Sequence, residues 1–461
     1  MNINRLFIAN RGEIAVRIIK AANALGVKTI QAFSEADKDM LSVRLADESI
    51  CIGPASASAS YLDINAVVSA AVRMKADAVH PGYGFLAENA DFAKAVKDAG
   101  MIFVGPDAET IERMGDKVSA RQVAEAAGVP VVPGSKGRVE STDDAAKIAK
   151  TIGYPVMIKA AAGGGGRGIR IAQNEEELRN FAPQAQAEAL AAFGDGGLYL
   201  ERAIRSPRHI EVQILGDGVN AIHCFERECS LQRRRQKVWE EAGAVNLKKA
   251  TVAHLCQAAV DLAKAVQYRG AGTIEYLYDD DTGEFYFIEM NTRIQVEHTV
   301  SEMITGIDLV QEMIRIAGGG KLNLRQDQII RNGHAIEVRI NAEDPFMQFM
   351  PFPGKVGTMS IPKGDGVRVD HFLYEGYQIP PFYDSLLGKL IVHAPSRDEA
   401  INKLLVALKE FQIGGLKTTM PLHIALASDR DVRAGKFHTQ WLEAWLAAGN
   451  LDATMREGAL L

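Results

Sequence analysis

Cysteine is scarce in this chain: Cys51, Cys224, Cys229 and Cys256 are the only four in 461 residues, and none forms a Cys-x-x-C pair. That excludes a disulfide framework and a zinc knuckle, and it fits a reducing compartment. No apolar run reaches the roughly 18–20 residues of a membrane span, so no membrane partner is expected. The opening Met-Asn-Ile-Asn-Arg-Leu-Phe-Ile-Ala-Asn has no cationic stretch, apolar h-region or cleavage site. A cytoplasmic location is the expectation. Basic charge is not in excess either. The formal net charge is −6, against a nucleic-acid partner, whose binders are normally strongly basic. Internal repeats and low-complexity tracts are also missing. What is present is 47% hydrophobic and 24% charged residues, an ordinary globular composition in a chain long enough for about two or three packed lobes.

The N-terminal stretch alternates strand and helix. Residues 5–9, 28–33, 77–80 and 101–104 read as strands, and 12–25 as a helix with Ile14, Ile18, Ala22 and Leu25 on one face. This order predicts parallel β-α-β units in a doubly wound α/β sheet, where ligands collect beyond the strand carboxyl ends. His80-Pro81-Gly82-Tyr83-Gly84-Phe85 follows such a strand and is a candidate binding loop; its Pro and two Gly would equally make a tight turn. Residues 107–127 read as one helix, and Val129-Pro130-Val131-Val132-Pro133-Gly134 as a lobe boundary. Strands are expected at 155–160 and 169–172, then antiparallel strands at 198–201, 209–215 and 221–226, a helix at 251–266, and strands at 272–278 and 285–290. Residues 334–392 are strand-rich, and two helical stretches close the chain. Cys229, His223 and His334 read as packed side chains, and residues 347–350 as core or a lobe contact.

Two patterns carry chemistry. Lys159 closes an apolar strand, and Gly163-Gly164-Gly165-Gly166-Arg167-Gly168 follows. Glycines let backbone N–H groups approach phosphate oxygens, and the lysine adds a charge within reach. The spacing fits neither a P-loop nor a dinucleotide fingerprint, and the loop links two strands, as a lid over a nucleotide would. The second pattern is a hairpin turning at Asp279-Asp280-Asp281-Thr282-Gly283. Centred on Thr282, it sets Glu275 opposite Glu289. Bare like charges there are destabilising. A divalent cation between oxygen ligands, magnesium or manganese, removes the conflict. A strand period of two then extends the row through Asn291, Arg293, Gln295 and Glu297.

These segments, together with Ile8 to Ala15, His80 to Asn89, Met114 to Lys117, Arg208 to Gln213, Arg339 to Asp344 and Tyr383 to Lys389, resemble the biotin carboxylase subunit of acetyl-CoA carboxylase-type biotin-dependent carboxylases, in the ATP-grasp superfamily. The resemblance runs to beyond residue 420. It implies a three-lobed ATP-grasp fold: an N-terminal doubly wound α/β domain (1–113), an ATP-grasp domain (114–330) with a mobile lid at about 131–203, and a C-terminal mixed α+β domain (331–446) before a tail (447–461). It also implies roles. Lys117, Lys159 and the backbone at Gly164, Gly165 and Gly166 hold ATP phosphates. Glu201 through Ile204 line the adenine pocket, and His209 and Gln232 lie near the ribose. Glu275 and Glu289, with Asn291 close by, bind Mg2+ or Mn2+. Lys237, Arg293, Gln295 and the backbone of Val296 cradle bicarbonate, and Glu297 is the general base. Arg339 holds the biotin ureido oxygen, with Tyr83 nearby.

The implied activity is ATP- and bicarbonate-dependent carboxylation of biotin through carboxyphosphate. The carrier motif Ala-Met-Lys-Met is absent, so the biotin carboxyl carrier protein and the carboxyltransferase are expected on separate chains, and the resemblance implies a homodimer. Two other readings stand beside it: an ATP-grasp ligase acting on a different nitrogen acceptor, and a non-catalytic nucleotide-binding subunit. The chain also departs from the family. Arg235 stands where histidine is usual, bordering the nucleotide. Glu240-Glu241-Ala242-Gly243-Ala244 lacks the usual Pro-Ala-Pro, which predicts a more flexible loop. Thr299 stands where proline is usual, and Ala162 replaces a glycine.

Overall fold

A computed structural model describes residues 2–160, 170–193 and 196–458. The chain divides into two compact units: Met1–Val129 with Arg208–Leu277 and Ile288–Leu461, and a smaller one of Pro130–Pro207 with Tyr278–Phe287.

In the larger unit, the N-terminal strands form a parallel sheet in the order Glu48–Gly53, Lys28–Ser34, Arg5–Ile8, Ala78–His80, Ile102–Phe103. Strand order reverses beside Arg5–Ile8, so the loops after this strand and after Ala78–His80 flank the switch point where such sheets bind ligands. They are stitched together there: Asn10 Nδ2 donates to the carbonyls of Pro81 and Tyr83 at 2.6 and 2.7 Å. Gly82 has φ +64, and a Cβ on it would meet Asn10 Nδ2 at 2.8 Å. No other residue type fits that approach. The helix Gly12–Ala24 buries Ile14, Ile18 and Ala22, as its spacing predicts.

The single helix expected at 107–127 is two, Ala108–Gly115 and Lys117–Ala126. Asp116 between them is extended, with ψ 116, and its carboxylate accepts from Ser119 N at 2.7 Å. Capping by the aspartate outweighs helix continuity, because it satisfies an amide that a new first turn leaves unpaired. It also sets Lys117 at a helix start.

The second sheet, eight strands among the described residues, runs Glu284–Asn291, Arg269–Asp279, Arg208–Asp217, Ala221–Arg233, Gln236–Ala242, His334–Asn341, Leu386–Ala394, Val367–His371. Its hairpin tip, Tyr278–Phe287, belongs to the smaller unit. The strand expected to stop at 226 continues to Arg233, then turns tightly into Gln236–Ala242, a strand not anticipated. Glu240, Glu241 and Ala242, expected in a flexible loop, are therefore fully buried in a central strand. Arg234 and Arg235 form the two-residue turn with φ of +48 and +65, the left-handed geometry that matches strand twist. Arg233 beside it stacks on Phe349, 3.8 Å from the ring centroid. Met347 and Met350 are exposed at 57% and 54%, which removes the core alternative of the two expected for this segment. Phe349 alone of that segment turns inward.

The helix Arg397–Glu410 packs on the strands His334–Asn341 and Leu386–Ala394. Its first residue, Arg397, reaches Glu241 with Nε at 2.7 Å and Nη2 at 2.8 Å. Further helices follow at Met420–Ser428, Arg430–Arg433, Trp441–Ala447 and Asn450–Gly458, more than the two stretches expected. The smaller unit has a three-stranded sheet, Arg170–Ala172, Val156–Ala160, Leu198–Arg202. Helices Thr142–Ile152 and Glu175–Phe193, not foreseen in the sequence, pack on it. No helix among the described residues is long and apolar enough to cross a membrane.

Candidate active site

Lys237 is the hub of the larger unit's charged centre. Its Nζ lies 2.6 Å from Glu211, 2.9 Å from Glu275 and 2.7 Å from Glu297. Glu211 faces this point because Arg208–Asp217 alternates, bringing His209, Glu211 and Gln213 to one side. Behind them lies Arg227, fully buried. Its guanidinium donates to Glu211, Gln213, Ser301, Thr273 and Gln295, at 2.5 to 3.1 Å. This saturated arginine fixes the carboxylates from the rear.

Glu297 reaches the cluster by a different route from the one expected. The strand ends at Asn291, so the period-of-two row stops there. Residues 292–297 turn, and Glu297 becomes the residue before helix His298–Thr305. The turn still delivers Gln295 and Glu297 to Lys237's surroundings. Gln295 Nε2 donates to Glu275 at 2.8 Å, and Glu297 Oε2 accepts from Arg339 at 3.1 Å. Burial pushes the Glu297 carboxyl up, but Lys237, Arg339 and Arg227 outweigh it and hold the group below its ordinary range. It is therefore an ionised carboxylate, able to accept a proton. Arg293 points elsewhere: it pairs with Glu88 at 2.7 Å and donates to Asn291 Oδ1 at 2.8 Å.

Arg339 donates to Glu240 at 2.6 Å and forms the floor of a cavity of about 530 Å3 with Tyr83, Lys237 and Val296. Phe349, Pro351, Ile379 and Pro380 give it apolar walls. Tyr83 Oη donates to Glu13 at 2.5 Å, and the buried Lys389 donates to the Val296 carbonyl.

The strands carrying Glu275 and Glu289 are neighbours. Burial pushes the Glu289 carboxyl up, and the negative charge of Glu275 adds to the shift. Two carboxylates and the Asn291 amide oxygen make an all-oxygen donor set suited to a hard cation, which would relieve that repulsion. The residues fit magnesium. His209 lies 3.2 Å from Glu275 and 3.3 Å from Glu211. Burial pulls its pKa down, yet Glu275 and Glu211 together outweigh this and the imidazole is raised to about 9.

Other expected residues are more scattered. Gln232 is buried and donates to the Cys229 carbonyl at 2.9 Å. Arg235 is exposed on its turn, and Lys117 is close enough to Glu289 to hold its carboxyl down in part. In the smaller unit Lys159 pairs with Glu201, and Ile204 is half-buried in the following loop. Gly164, Gly165 and Gly166 lie outside the described residues. Sequence reasoning missed Arg227, Glu13, Glu240 and Lys389. For Glu13 and Lys389 the signal was a single charged side chain inside an apolar run, which a buried strand or helix tolerates only when paired; Arg227 and Glu240 stand among other charged residues and carried no such signal. Cys229 and His334 are buried, as expected; His334 is bonded to Glu241 at 2.8 Å.

Three family models match the chain: "Biotin carboxylase, N-terminal domain" over residues 2–111, "Carbamoyl-phosphate synthase L chain, ATP binding domain" over 116–325, and "Biotin carboxylase C-terminal domain" over 337–444. Biotin carboxylase 1 of Bacillus subtilis is 51% identical over 97% of this chain and 100% of its own. Biotin carboxylase of Pseudomonas aeruginosa is 52% identical over 96% and 98%. Among solved structures, the biotin carboxylase domain dimer of Hydrogenobacter thermophilus 2-oxoglutarate carboxylase, in complex with MgADP, ADP and bicarbonate, aligns with TM-score 0.86 and 47% identity, covering 97% of this chain and 98% of that one. Near-full-length identity of this size, on the same ATP-grasp fold, leaves one assignment: the chain belongs to the biotin carboxylase family of ATP-dependent ligases.

Proposed function

We propose that this chain carboxylates biotin with ATP and bicarbonate through carboxyphosphate. The observation that carries the reading is Glu297, an ionised buried carboxylate held between Lys237 and Arg339, both of which line the cavity. Bicarbonate is a poor nucleophile and must lose its proton as it attacks the γ-phosphorus, and Glu297 is the base for that proton. Lys237, Gln295, the Val296 backbone and Arg293 hold the anion, the last by exchanging Glu88 for it. Lys117 and Lys159 neutralise ATP phosphates, with the backbone at Gly164, Gly165 and Gly166. Glu201 through Ile204 take the adenine, while His209, Gln232 and Arg235 flank the nucleotide. Glu275, Glu289 and Asn291 would hold Mg2+ or Mn2+, which supplies charge neutralisation on the phosphates.

Carboxyphosphate breaks down to CO2 and phosphate, and the phosphate takes the proton from the biotin ureido nitrogen. Arg339 stabilises the negative oxygen that develops on the ureido carbon, and Tyr83 borders the ring. The apolar walls suit the bicyclic ring and its aliphatic arm. Biotin arrives on a carrier protein, with the carboxyltransferase on another chain. A cytoplasmic homodimer is the working assembly, supported by the dimer of the Hydrogenobacter relative.

The test is ADP release by purified protein with Mg-ATP and bicarbonate, with and without free biotin. Bicarbonate-dependent cleavage stimulated by biotin is expected. Cleavage indifferent both to free biotin and to biotinylated carrier would overturn the acceptor, and no cleavage by folded, ATP-binding protein would overturn the activity.

A further inference from the structure

Four charged side chains share one face of the eight-stranded sheet. Glu240 pairs with Glu337 across Gln236–Ala242 and His334–Asn341, and Arg339 pairs with Lys389 across His334–Asn341 and Leu386–Ala394. Directly opposed residues lie on the same face, as do residues two apart along a strand. Like charges are therefore directly opposed and unlike charges are diagonal. One diagonal is the bond from Arg339 to Glu240 at 2.6 Å. On the other, burial lowers the Lys389 pKa, but Glu13 and then Glu337 draw it up.

Opposed carboxylates are unfavourable even at a surface, and both of these are 0% exposed. The groups facing Glu240 are Arg339, Glu297, Lys237 and the Cys229 thiol; those facing Glu337 are Lys389, Arg339 and the Thr299 hydroxyl. Lys237 is shared among Glu211, Glu275 and Glu297, and Lys389 is shared with Glu13. Negative charge is in surplus. Each carboxylate also has one buried oxygen without a partner, Oε2 of Glu240 and Oε1 of Glu337. The other oxygen of Glu337 accepts from Thr299, a bond that the proline usual there could not make.

We infer that one proton is held between Glu240 Oε2 and Glu337 Oε1, and that this acid pair is the positioning device that aims Arg339. A single proton satisfies both unpartnered oxygens and removes the like-charge conflict. It resides on Glu337, where burial pushes the carboxyl far up, while Glu240 keeps its charge for the guanidinium. Glu240 is itself raised to about 7, burial outweighing Arg339. Arg339's role towards biotin rests on the function proposed above. The pair itself does not, so the two fail separately.

Infrared spectra of protein labelled with 13C-glutamate test the pair without any turnover. A protonated carboxylic C=O band at neutral pH, lost in Glu337→Gln, is expected; wild-type protein without such a band overturns the inference. Thermal unfolding gives a second readout. A carboxyl raised in the fold contributes stability at low pH that is lost as pH rises through its folded pKa. The melting temperature of Glu337→Gln relative to wild type must therefore climb as pH rises above the unfolded carboxyl value of about 4.3. A flat or falling difference overturns it. For positioning, Glu240→Gln should raise the KM for free biotin about tenfold or more with the KM for ATP unmoved. Equal changes in both would mean a structural role only. Should Glu337→Gln fail to fold, a shift in the frequency of the same infrared band in Glu240→Gln decides the question, and a band left unmoved overturns the sharing.

Discussion

Glu297 illustrates how a single side chain acquires its chemistry from its neighbours. Burial alone would protonate it, and a protonated acid cannot take a proton from bicarbonate. Lys237 at 2.7 Å and Arg339 at 3.1 Å keep it ionised. Replacing it by Gln preserves the shape but removes the base, and it leaves one oxygen to accept where Glu297 offers two, to Lys237 and Arg339. Bicarbonate-dependent ATP cleavage should then fall by at least about 10²-fold, the usual scale for a general base. Steady-state ADP release at saturating ATP reads this, and an unchanged rate would remove Glu297 from the mechanism. At this scale the sequence was partly legible. Lys237, Gln295, Glu297 and Arg339 stand in recognisable motifs, whereas Arg227 is one arginine among three charged residues in Glu226-Arg227-Glu228. Only the packing shows that Arg227 is buried behind Glu211 and binds five side chains.

Among elements, the strand Gln236–Ala242 has the largest consequences and was the least expected. Its charged sequence, Gln-Lys-Val-Trp-Glu-Glu-Ala, reads as a surface segment, yet Glu240 and Glu241 are both fully buried. Each finds a cation on a different part of the chain: Glu240 meets Arg339, and Glu241 meets Arg397 with His334. Burial pushes the Glu241 carboxyl up, but Arg397 and His334 prevail and hold it far below its ordinary range. Removing the carboxylate leaves the Arg397 charge with only the Val432 and Arg433 carbonyls to donate to, so Glu241→Ala should cost about 3–5 kcal/mol in urea unfolding. The sign with pH is fixed. A depressed folded pKa contributes stability above the unfolded value near 4.3 and loses it below. The penalty of Glu241→Ala should therefore be full at neutral pH and shrink as acid protonates the wild-type carboxylate. A pH-independent penalty would mean that packing, not charge, sets it.

At the scale of the whole molecule, the two compact units differ in what holds them. The core of the smaller unit is built largely of small side chains, among them Ala145, Ala146, Ala149, Ala172, Ala182 and Ala185. The larger unit packs Trp239, Phe372, Leu390, Leu404 and Trp445 in one cluster. Less apolar area per residue means lower local stability. Hydrogen exchange should be faster in Val156–Ala160 and Leu198–Arg202 than in His334–Asn341 and Leu386–Ala394, and equal protection would contradict this. Strand and helix periodicity, turn residues and motif order are local properties, so the sequence alone determined the parallel N-terminal sheet, the hairpin with its two glutamates, and the family. It was silent where the outcome depended on partners distant along the chain. Whether Glu240 lies in a loop or a core strand, whether 107–127 is one helix or two, and whether Arg293 meets Glu88 were decided by tertiary structure. The physical reason is that a buried charge or a broken helix is stable only when its compensating group, often a hundred residues away, is in place.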